Sequence, residues 1–220
     1  MKASTGLFIS LLVFFGAIEA AAERPEDQEA PLGPAPSLAA ATEGIEGEGP
    51  DLLVDIKTNM GAINCRLFHR KAPLTVRHFV GLAAGRSEFL QAGSERRIKK
   101  PFYDGLTFHR VVPDFLIQGG CPIGDGKGDP GYRIKNEYKR SLSHNRPGIL
   151  SLSNAGRHKG GSQFFITLRK APWLDDRYAV FGECHNLEVI KAISKTPVLP
   201  PNRPRRTVRM ETVTVRWGTW

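Results

Sequence analysis

From Leu52 onward, short apolar runs rich in β-branched and aromatic residues alternate with turn signals, and this pattern constrains the fold more than any other feature. The runs at residues 52–58 and 62–68 are separated by Asn59-Met60-Gly61, which predicts a β-hairpin. The same enrichment predicts further strands at residues 148–154, 163–168, 178–184 and 210–217. The domain is therefore expected to be mainly β.

Only two segments have helical periodicity. Residues 75–84 follow Pro73, begin with Thr75 as the expected N-cap and stop at Gly85. Residues 187–194 follow Asn186 as a second cap and place Leu187, Ile190 and Ile193 on one face. Many strands with two short helices predict a closed or nearly closed antiparallel β-barrel whose ends the helices cover.

The first 50 residues differ from the rest in composition. Residues 1–22 combine Lys2, an apolar run over residues 7–17 and Ala20-Ala21-Ala22, a pattern typical of a secretory signal peptide. An uncleaved membrane anchor is the alternative. Residues 23–50 contain seven acidic residues, one basic residue, five prolines and no aromatic residue, which predicts a flexible acidic linker. The chain is thus expected to be exported, periplasmic or secreted, with its folded domain at residues 51–220.

Charge limits the choice of partners. The 220-residue chain has a net charge of +9, and residues 51–220 alone carry +15, because residues 23–50 are acidic. A basic domain of this kind binds nucleic acid, an anionic surface or its own acidic segment. Export and the scattered distribution of the bases argue against nucleic acid. The densest cluster, residues 203–206, lies in a proline-rich loop and is interpreted as solvated.

The three cysteines, Cys65, Cys121 and Cys184, include no C-x-x-C pair and no zinc spacing. Cys65 alternates in phase with Ile63 and Leu67, which predicts a small core residue. A disulfide between Cys121 and Cys184 is left open, since nothing in the sequence brings the two together.

The chain lacks the local sequence motifs of several classes of enzyme, although a catalytic triad assembled from distant residues stays open. The glycine-rich residues 119–131 lack the Gly and the Ser or Thr that a phosphate-binding loop needs at positions 121 and 128, and Pro130 interrupts the G-x-G-x-x-G match. The chain has no G-x-S-x-G element, and its six histidines have no metal-binding spacing. Residues 119–131 are therefore expected to form a surface loop, and no metal or cofactor is expected.

Residues 108–120, FHRVVPDFLIQGG, read as an apolar strand that carries Arg110 and Gln118. Alternation places Phe108, Arg110, Leu116 and Gln118 on one face and Phe115 on the other. A bend or bulge at Pro113-Asp114 is expected to re-aim the strand so that Phe115 joins them. Taken alone, a strand arginine favours a half-buried structural ion pair. His109 is expected to be structural, and His144 is expected to be a hydrogen-bonded loop residue.

Four sequence blocks occur together in a characteristic order: FYDGLTFHRVVPDFLIQGG, PGILSLSNAG, GSQFFITL and WLDDRYAVFGE. Over residues 52–215 they resemble the cyclophilin family of peptidyl-prolyl cis-trans isomerases, and the short loop before DPGY resembles exported bacterial members. The resemblance implies an eight-stranded antiparallel barrel with two helices and a non-covalent isomerase of X-Pro bonds that needs no cofactor. It also implies a monomer that acts on proline-containing peptides and folding proteins.

The resemblance assigns roles residue by residue. Arg110 matches the catalytic arginine, and Phe115 and Gln118 accompany it. Substrate-contacting positions of the family correspond here to Leu116, Ser153, Asn154, Gln163, Phe165, Trp173, Leu174 and Tyr178. Trp173 matches the tryptophan that favours cyclosporin-type inhibitors. Tyr178 and Ser153 depart from the residues common in many relatives, which affects expected inhibitor affinity and substrate preference more than catalysis.

Two other functions remain as alternatives. One is a non-catalytic module that holds proline motifs in the same groove, although the intact Arg110, Phe115, Gln118 and Phe165 argue against it. The other is a basic surface module recruited by anionic partners, whose binding would collapse with salt while isomerase activity persisted.

Overall fold

The computed structural model describes residue 33 and residues 35–220. Three α-helices are present in this part of the chain: α1 (Leu38–Thr42), α2 (Pro73–Ala83) and α3 (Leu187–Ser194), with a short 3-10 helix at Pro172–Leu174. The strands are β1 (Asp51–Thr58), β2 (Gly61–Leu67), β3 (Phe89–Leu90), β4 (Arg97–Ile98), β5 (Arg110–Val112), β6 (Leu116–Gly119), β7 (Ile149–Asn154), β8 (Gly160–Thr167), β9 (Ala179–Cys184), β10 (Val198–Leu199), β11 (Arg203–Pro204) and β12 (Met210–Gly218).

Eight strands form one antiparallel sheet in the order β12-β1-β2-β9-β7-β8-β6-β5. The mainly β prediction and the strand count are confirmed, but the expected closure of the barrel is wrong. The edges approach each other only through a bridge between Thr107 and Arg209 and bonds such as Phe108 N–H to Val208 C=O (2.9 Å). β5 itself donates from Val111 N–H to the carbonyl of Asn202 (2.8 Å), so a loop occupies the edge that β12 would need. The sheet is a curled half-barrel.

The predicted β1–β2 hairpin is confirmed, with Thr58 paired with Gly61 across the turn. The Thr58 hydroxyl donates to the Gly61 carbonyl (2.7 Å) and accepts from the Met60 N–H (3.0 Å). Side-chain bonds of this kind favour a tight turn over continued extension. The turn therefore sets the register between β1 and β2.

The concave side of the sheet is filled by α2 and a cluster of aromatic rings. Phe79 of α2 contacts Tyr103, Phe164 and Phe181, with ring centroids 4.9–5.6 Å apart, and all four side chains are buried. Stacked and edge-to-face contacts of this type add to the hydrophobic stabilisation of a core. The helix thus packs against the concave face of the half-barrel through Phe79.

Both helix starts differ in detail from the prediction. α2 begins at Pro73, so Thr75 lies inside its first turn, where its N–H donates to the Glu137 carboxylate (2.6 Å). α3 starts after Asn186 as predicted, but the Asn186 side chain does not cap the helix and donates instead to Asn64 Oδ1 (2.6 Å). In each case a long-range partner replaces the local capping bond that the sequence suggested.

Residues 35–50 are packed against the domain, which contradicts the prediction of a flexible linker over these residues. Ser37 caps the short helix α1, and Ala41 on that helix is fully buried in the main core. The backbone carbonyl of Glu46 accepts a hydrogen bond from the Trp217 N–H (2.9 Å). Composition predicted disorder because acids and prolines outnumber apolar residues over residues 23–50, yet Leu38, Ala41 and Ile45 pack against the core. The predicted signal peptide and residues 23–32 lie outside the described residues.

A disulfide joins Cys65 on β2 to Cys184 on β9, at positions directly opposite in the register. Cys65 is buried in the core as predicted, but the pairing of Cys121 with Cys184 that the sequence left open is wrong, because Cys121 is free and buried. Residues 119 positions apart meet here only through the antiparallel pairing of two strands. No helix among the described residues is long and apolar enough to cross a bilayer.

A matched pair of substitutions tests the docking of residues 35–50. Ala41→Asp places an unpaired carboxylate in the core and is expected to lower the unfolding free energy by about 1–3 kcal/mol. Ala39→Asp makes the same change at an exposed position of the same helix and is expected to be nearly neutral. Urea unfolding of the two variants measures the difference; equal stabilities would mean that the segment is not docked.

Thiol counting tests the disulfide. In denaturant without reductant, a thiol reagent is expected to modify only Cys121, and after reduction all three cysteines react. Peptide mapping of the unreduced protein should recover Cys65 linked to Cys184. Recovery of a linkage that contains Cys121 would contradict the structure.

Candidate active site

Strands β5 and β6 form a hairpin in which Arg110 pairs directly with Gln118. The sequence predicted one strand with a bend at Pro113-Asp114, and this prediction is wrong: the chain reverses direction there. Asp114 adopts a left-handed conformation (φ 54°), and Phe115 N–H donates to the Val112 carbonyl (3.1 Å). The reversal carries Phe115 to the tip of the hairpin and places the arginine and the glutamine side by side.

Arg110 is exposed, and its Nη1 donates to Gln118 Oε1 at 3.1 Å. Within residues 35–220 Arg110 forms no ion pair. The interpretation of Arg110 as half of a structural ion pair is therefore wrong for this part of the chain. A glutamine amide orients the guanidinium without cancelling its charge, and several of its N–H donors stay available. The arginine is therefore positioned to donate hydrogen bonds to a ligand.

A chain of amides continues from Gln118 to the glycine-rich loop. Gln118 Nε2 donates to Gln163 Oε1 (3.0 Å) and, at 3.4 Å, to the Ser153 hydroxyl. Gln163 Nε2 in turn donates to the carbonyls of Gly126 (2.8 Å) and Gly128 (3.0 Å). This network fixes the orientation of Gln118, and so of Arg110, against a loop on the surface.

The glycine-rich loop is the predicted surface loop and not an anion site. The amides of Gly126 and Gly128 both donate to the Cys121 sulfur at 3.3 Å, so they do not point outward. His109 is buried beside Gly126, and burial lowers its pKa. Among the described residues, no group of three His, Cys, Asp or Glu side chains could hold a metal ion.

Leu116 and Phe165 form an apolar floor beside Arg110. They are buried (4% and 3% exposed) yet lie outside the main core cluster, to which their strand neighbours Ile117 and Phe164 belong. Because successive side chains of a strand point to opposite faces, Leu116 and Phe165 lie on the convex side of the sheet. The groove therefore lies on the outer wall of the half-barrel.

Aromatic side chains form a wall along one side of the floor of Leu116 and Phe165. Phe115 and Trp173 have ring centroids 5.9 Å apart, and Trp173 is 52% exposed, which is unusual for so large an apolar side chain. Tyr178 meets Phe165 edge to face at 5.2 Å, and its N–H donates to the carbonyl of Leu174 (3.1 Å). Phe115, Leu174 and Tyr178 are half-buried, so the wall has an apolar surface that a ligand can cover.

Asn154 lies at the end of β7 near the same groove, but its side chain is partly used within the protein. Its Nδ2 donates to the Arg177 carbonyl (2.7 Å), and its Oδ1 accepts from Gly156 N–H (3.1 Å). Ser153 is half-buried next to it. A peptide contact by Asn154 is therefore expected to use its backbone or the remaining side-chain positions.

His144 supports the floor from behind, a role that sequence reasoning missed. The ring stacks on Phe165 (centroids 5.9 Å apart, 13° between planes) and is fully buried. Its Nδ1 donates to the Asp175 carboxylate (2.7 Å), and its Nε2 accepts from the Ser151 hydroxyl (2.7 Å). The expectation of a hydrogen-bonded residue is confirmed, but only the fold shows that this residue fixes Phe165.

Arg169 was also missed. Its guanidinium lies over the Phe115 ring at 5.0 Å and near the Trp173 ring at 5.7 Å. In the sequence it is one of two basic residues after a strand, and no local signal distinguishes it from a solvated charge. The structure therefore brings together all eleven predicted site residues in one region and adds His144, Asp175 and Arg169.

The model of cyclophilin-type peptidyl-prolyl cis-trans isomerases matches residues 53–215. The chain belongs to the cyclophilin family. Among curated relatives, peptidyl-prolyl cis-trans isomerase A of Mycobacterium tuberculosis is 43% identical over 163 residues, which are 73% of this chain and 90% of the relative. Peptidyl-prolyl cis-trans isomerase B of Streptomyces anulatus is 40% identical over 168 residues, 74% and 96% of the two chains.

Solved structures agree. A cyclophilin-type isomerase of Cryptosporidium parvum superposes with a TM-score of 0.68 at 27% identity and covers 77% of this chain and 100% of its own. A second structure of that protein, determined in the presence of the dipeptide Ala-Pro, superposes with a TM-score of 0.66. This cyclophilin is therefore a peptidyl-prolyl cis-trans isomerase.

The support of Phe165 by His144 has a pH signature. Burial lowers the pKa of His144, and the Asp175 carboxylate opposes that shift. The folded state thus holds fewer protons than the unfolded state near and below pH 6.5, so the stability contributed by neutral His144 is present above that pH and is lost as pH falls.

Comparison with His144→Gln isolates this effect, since all other groups titrate in both proteins. The unfolding free energy of the wild-type cyclophilin is expected to exceed that of the variant most at pH 7–8, and the gap is expected to narrow at about pH 5. Urea titrations at each pH give both values. A gap that widens on acidification would mean that the imidazole is charged in the fold.

Proposed function

We propose that this cyclophilin catalyses rotation about X-Pro bonds in its substrates without covalent chemistry, through stabilisation of the twisted amide by Arg110. The observation that carries the proposal is an exposed arginine that no acid of the described residues neutralises, held by Gln118 at the edge of an apolar floor. Rotation about an amide is slow because the nitrogen lone pair is delocalised, with a barrier of about 18–20 kcal/mol. A donor aimed at the prolyl nitrogen favours the twisted state, in which that lone pair is localised.

Arginine suits this role because it stays protonated and presents several donors in a fixed fork. Uncatalysed isomerisation takes roughly 10–100 s at 25 °C. Acceleration to milliseconds requires about four decades, or roughly 5–6 kcal/mol. A hydrogen bond to a charged group contributes only about 1.5–3 kcal/mol, so the arginine accounts for part of the effect.

The remainder is assigned to positioning. The floor of Leu116 and Phe165 and the Phe115 ring form an apolar seat that we assign to the proline ring, and Phe165 is held in place by His144. Polar groups of Gln163, Ser153 and Asn154 border the seat and are proposed to hold the flanking peptide backbone. Fixing the proline while the preceding residue rotates lowers the entropic part of the barrier.

The substrates are proposed to be unfolded or folding polypeptides in an exported compartment. The groove lies on the outer surface, and Ser153 and Asn154 at the end of β7 are only half-buried beside it, which suits an extended chain. Export is supported by the sequence pattern of residues 1–22 and by the Cys65–Cys184 disulfide, since disulfides persist mainly in oxidising environments. In such a compartment an isomerase accelerates a slow step of folding.

Exchange of Arg110 tests the mechanism. In the protein lacking residues 1–22, Arg110→Ala is expected to lower kcat/KM on an X-Pro peptide at least about tenfold, because the developing lone pair loses its donor. Arg110→Lys keeps the positive charge but loses the forked set of donors. Its kcat/KM is expected to lie between those of the wild type and Arg110→Ala. Two-dimensional NMR exchange measures the rate without a coupled protease.

Arg70→Ala, a change at an exposed arginine in the connection between β2 and α2, serves as the control and is expected to retain activity. Circular dichroism and thermal unfolding check that each variant is folded. An Arg110→Ala variant as active as the wild type would refute the assigned role, and a wild type that binds proline peptides without turnover would indicate a binding module instead.

A further inference from the structure

Arg169 lies on the aromatic wall of the groove and is held there by rings. Its guanidinium is 5.0 Å from the centroid of Phe115 and 5.7 Å from that of Trp173. The backbone is anchored at the same point, because Leu168 N–H donates to the Phe115 carbonyl at 2.7 Å. Arg169 thus has a defined position relative to the residue that borders the proposed proline seat.

No acid in the described part of the chain forms an ion pair with Arg169, although its side chain is exposed. Asp175, which follows the 3-10 helix that carries Trp173, is used twice by His144, through the ring and through the backbone N–H (2.8 Å). An aromatic ring attracts a cation through its quadrupole but carries no net charge. The positive charge of Arg169 therefore remains available to a ligand in the groove.

Neighbouring residues reinforce this charge. Lys170 follows directly and is exposed, and Arg177 is exposed at the other end of the 3-10 helix, beside Asn154. Together with Arg110 they place four cationic side chains in the segments that border the groove, against the three acids Asp114, Asp175 and Asp176, within a domain of net charge +15 over residues 51–220. A surface that carries one sign of charge raises the local concentration of oppositely charged segments.

Building on the isomerase function proposed above, we propose that Arg169 is a specificity-determining residue that selects polypeptide segments with an Asp or Glu close to the isomerised proline. The carboxylate binds the guanidinium while the proline occupies the seat beside Phe115. Because Arg169 is stacked on the two rings, little side-chain freedom is lost when the carboxylate binds.

A peptide scan tests the proposal with the protein lacking residues 1–22. A neutral host peptide with one X-Pro bond carries Glu, or Gln as its isostere, at each of the three positions before and after the X-Pro pair. We expect at least one position at which kcat/KM is about 2- to 5-fold higher for Glu than for Gln in about 20 mM salt. The preference should shrink in about 0.5 M salt and should lie in KM rather than kcat, because the contact exists before and during rotation.

Three variants assign the preference to a residue. Arg169→Gln is expected to bring the Glu-to-Gln ratio close to 1, whereas Arg70→Gln makes the same charge change at an exposed remote site and should leave the ratio intact. Lys170→Gln removes a charge that is adjacent in sequence but has no ring contact. The Glu-to-Gln ratio of kcat/KM should fall less in this variant than in Arg169→Gln.

The outcomes separate the two proposals. Turnover of all peptides with no Glu preference at any position, or a preference that survives Arg169→Gln, overturns the role of Arg169 and leaves the isomerase function standing. Equal losses in Arg169→Gln and Lys170→Gln assign the effect to the general field and also overturn it. No turnover of any peptide, the neutral host included, refutes the proposed function and this inference with it.

Discussion

The site depends on the register between β6 and β8, because that register decides which side chains enter the core and which form the groove. Ile117 pairs with Ile166, and both point inward with Phe164. The alternating positions must therefore point outward, and these are Leu116, Gln118 and Phe165. A slip of one residue would exchange the two sets and bury Gln118 in an aromatic core, at a cost of several kcal/mol for its unpaired amide. Packing on the inside thus holds the polar and apolar parts of the site on the outside.

A second layer of constraint lies behind the groove. His144 lies between Phe165 and the Asp175 carboxylate, and Ser151 fixes its other ring nitrogen. Asp175 follows the 3-10 helix that carries Trp173, so one imidazole links the floor of the groove to its wall. Since neutral imidazole has one donor and one acceptor, both of its nitrogens are satisfied in this tautomer. The wall and floor are expected to move together, and a loss of this link should affect both.

The sequence predicted those parts of the fold that have a local cause. Alternation and β-branched residues located the strands of the main sheet, and periodicity located α2 and α3. The reversal at Pro113-Asp114 was missed because alternation is the same for one bent strand and for two paired ones. Its turn carries no glycine to signal the change in direction.

Features that depend on contacts between residues distant in the sequence could not be predicted, for a different reason. Residues 35–50 look disordered by composition, and only the complementary face of α2 shows where Ala41 is buried. The pairing of Cys65 with Cys184 required the order of strands in the sheet, and so did the stacking of Phe165 on His144. The family resemblance placed the site residues together, while Arg169 lay outside the matched motifs and was found only through its contacts.

The two arginines of the groove share one electrostatic arrangement, in which a neutral partner orients each charge. Gln118 accepts from Arg110, and two aromatic rings hold Arg169. A carboxylate in either place would hold the guanidinium more strongly, but it would also form a pair whose net charge is zero. Elsewhere the fold does pair arginines with carboxylates, as where Arg66 and Arg146 meet Glu183 and Arg66 also lies 4.0 Å from Asp51. These paired charges contrast with Arg110 and Arg169, which form no ion pair among the described residues, and that difference supports the proposal that the two arginines of the groove act on a bound peptide.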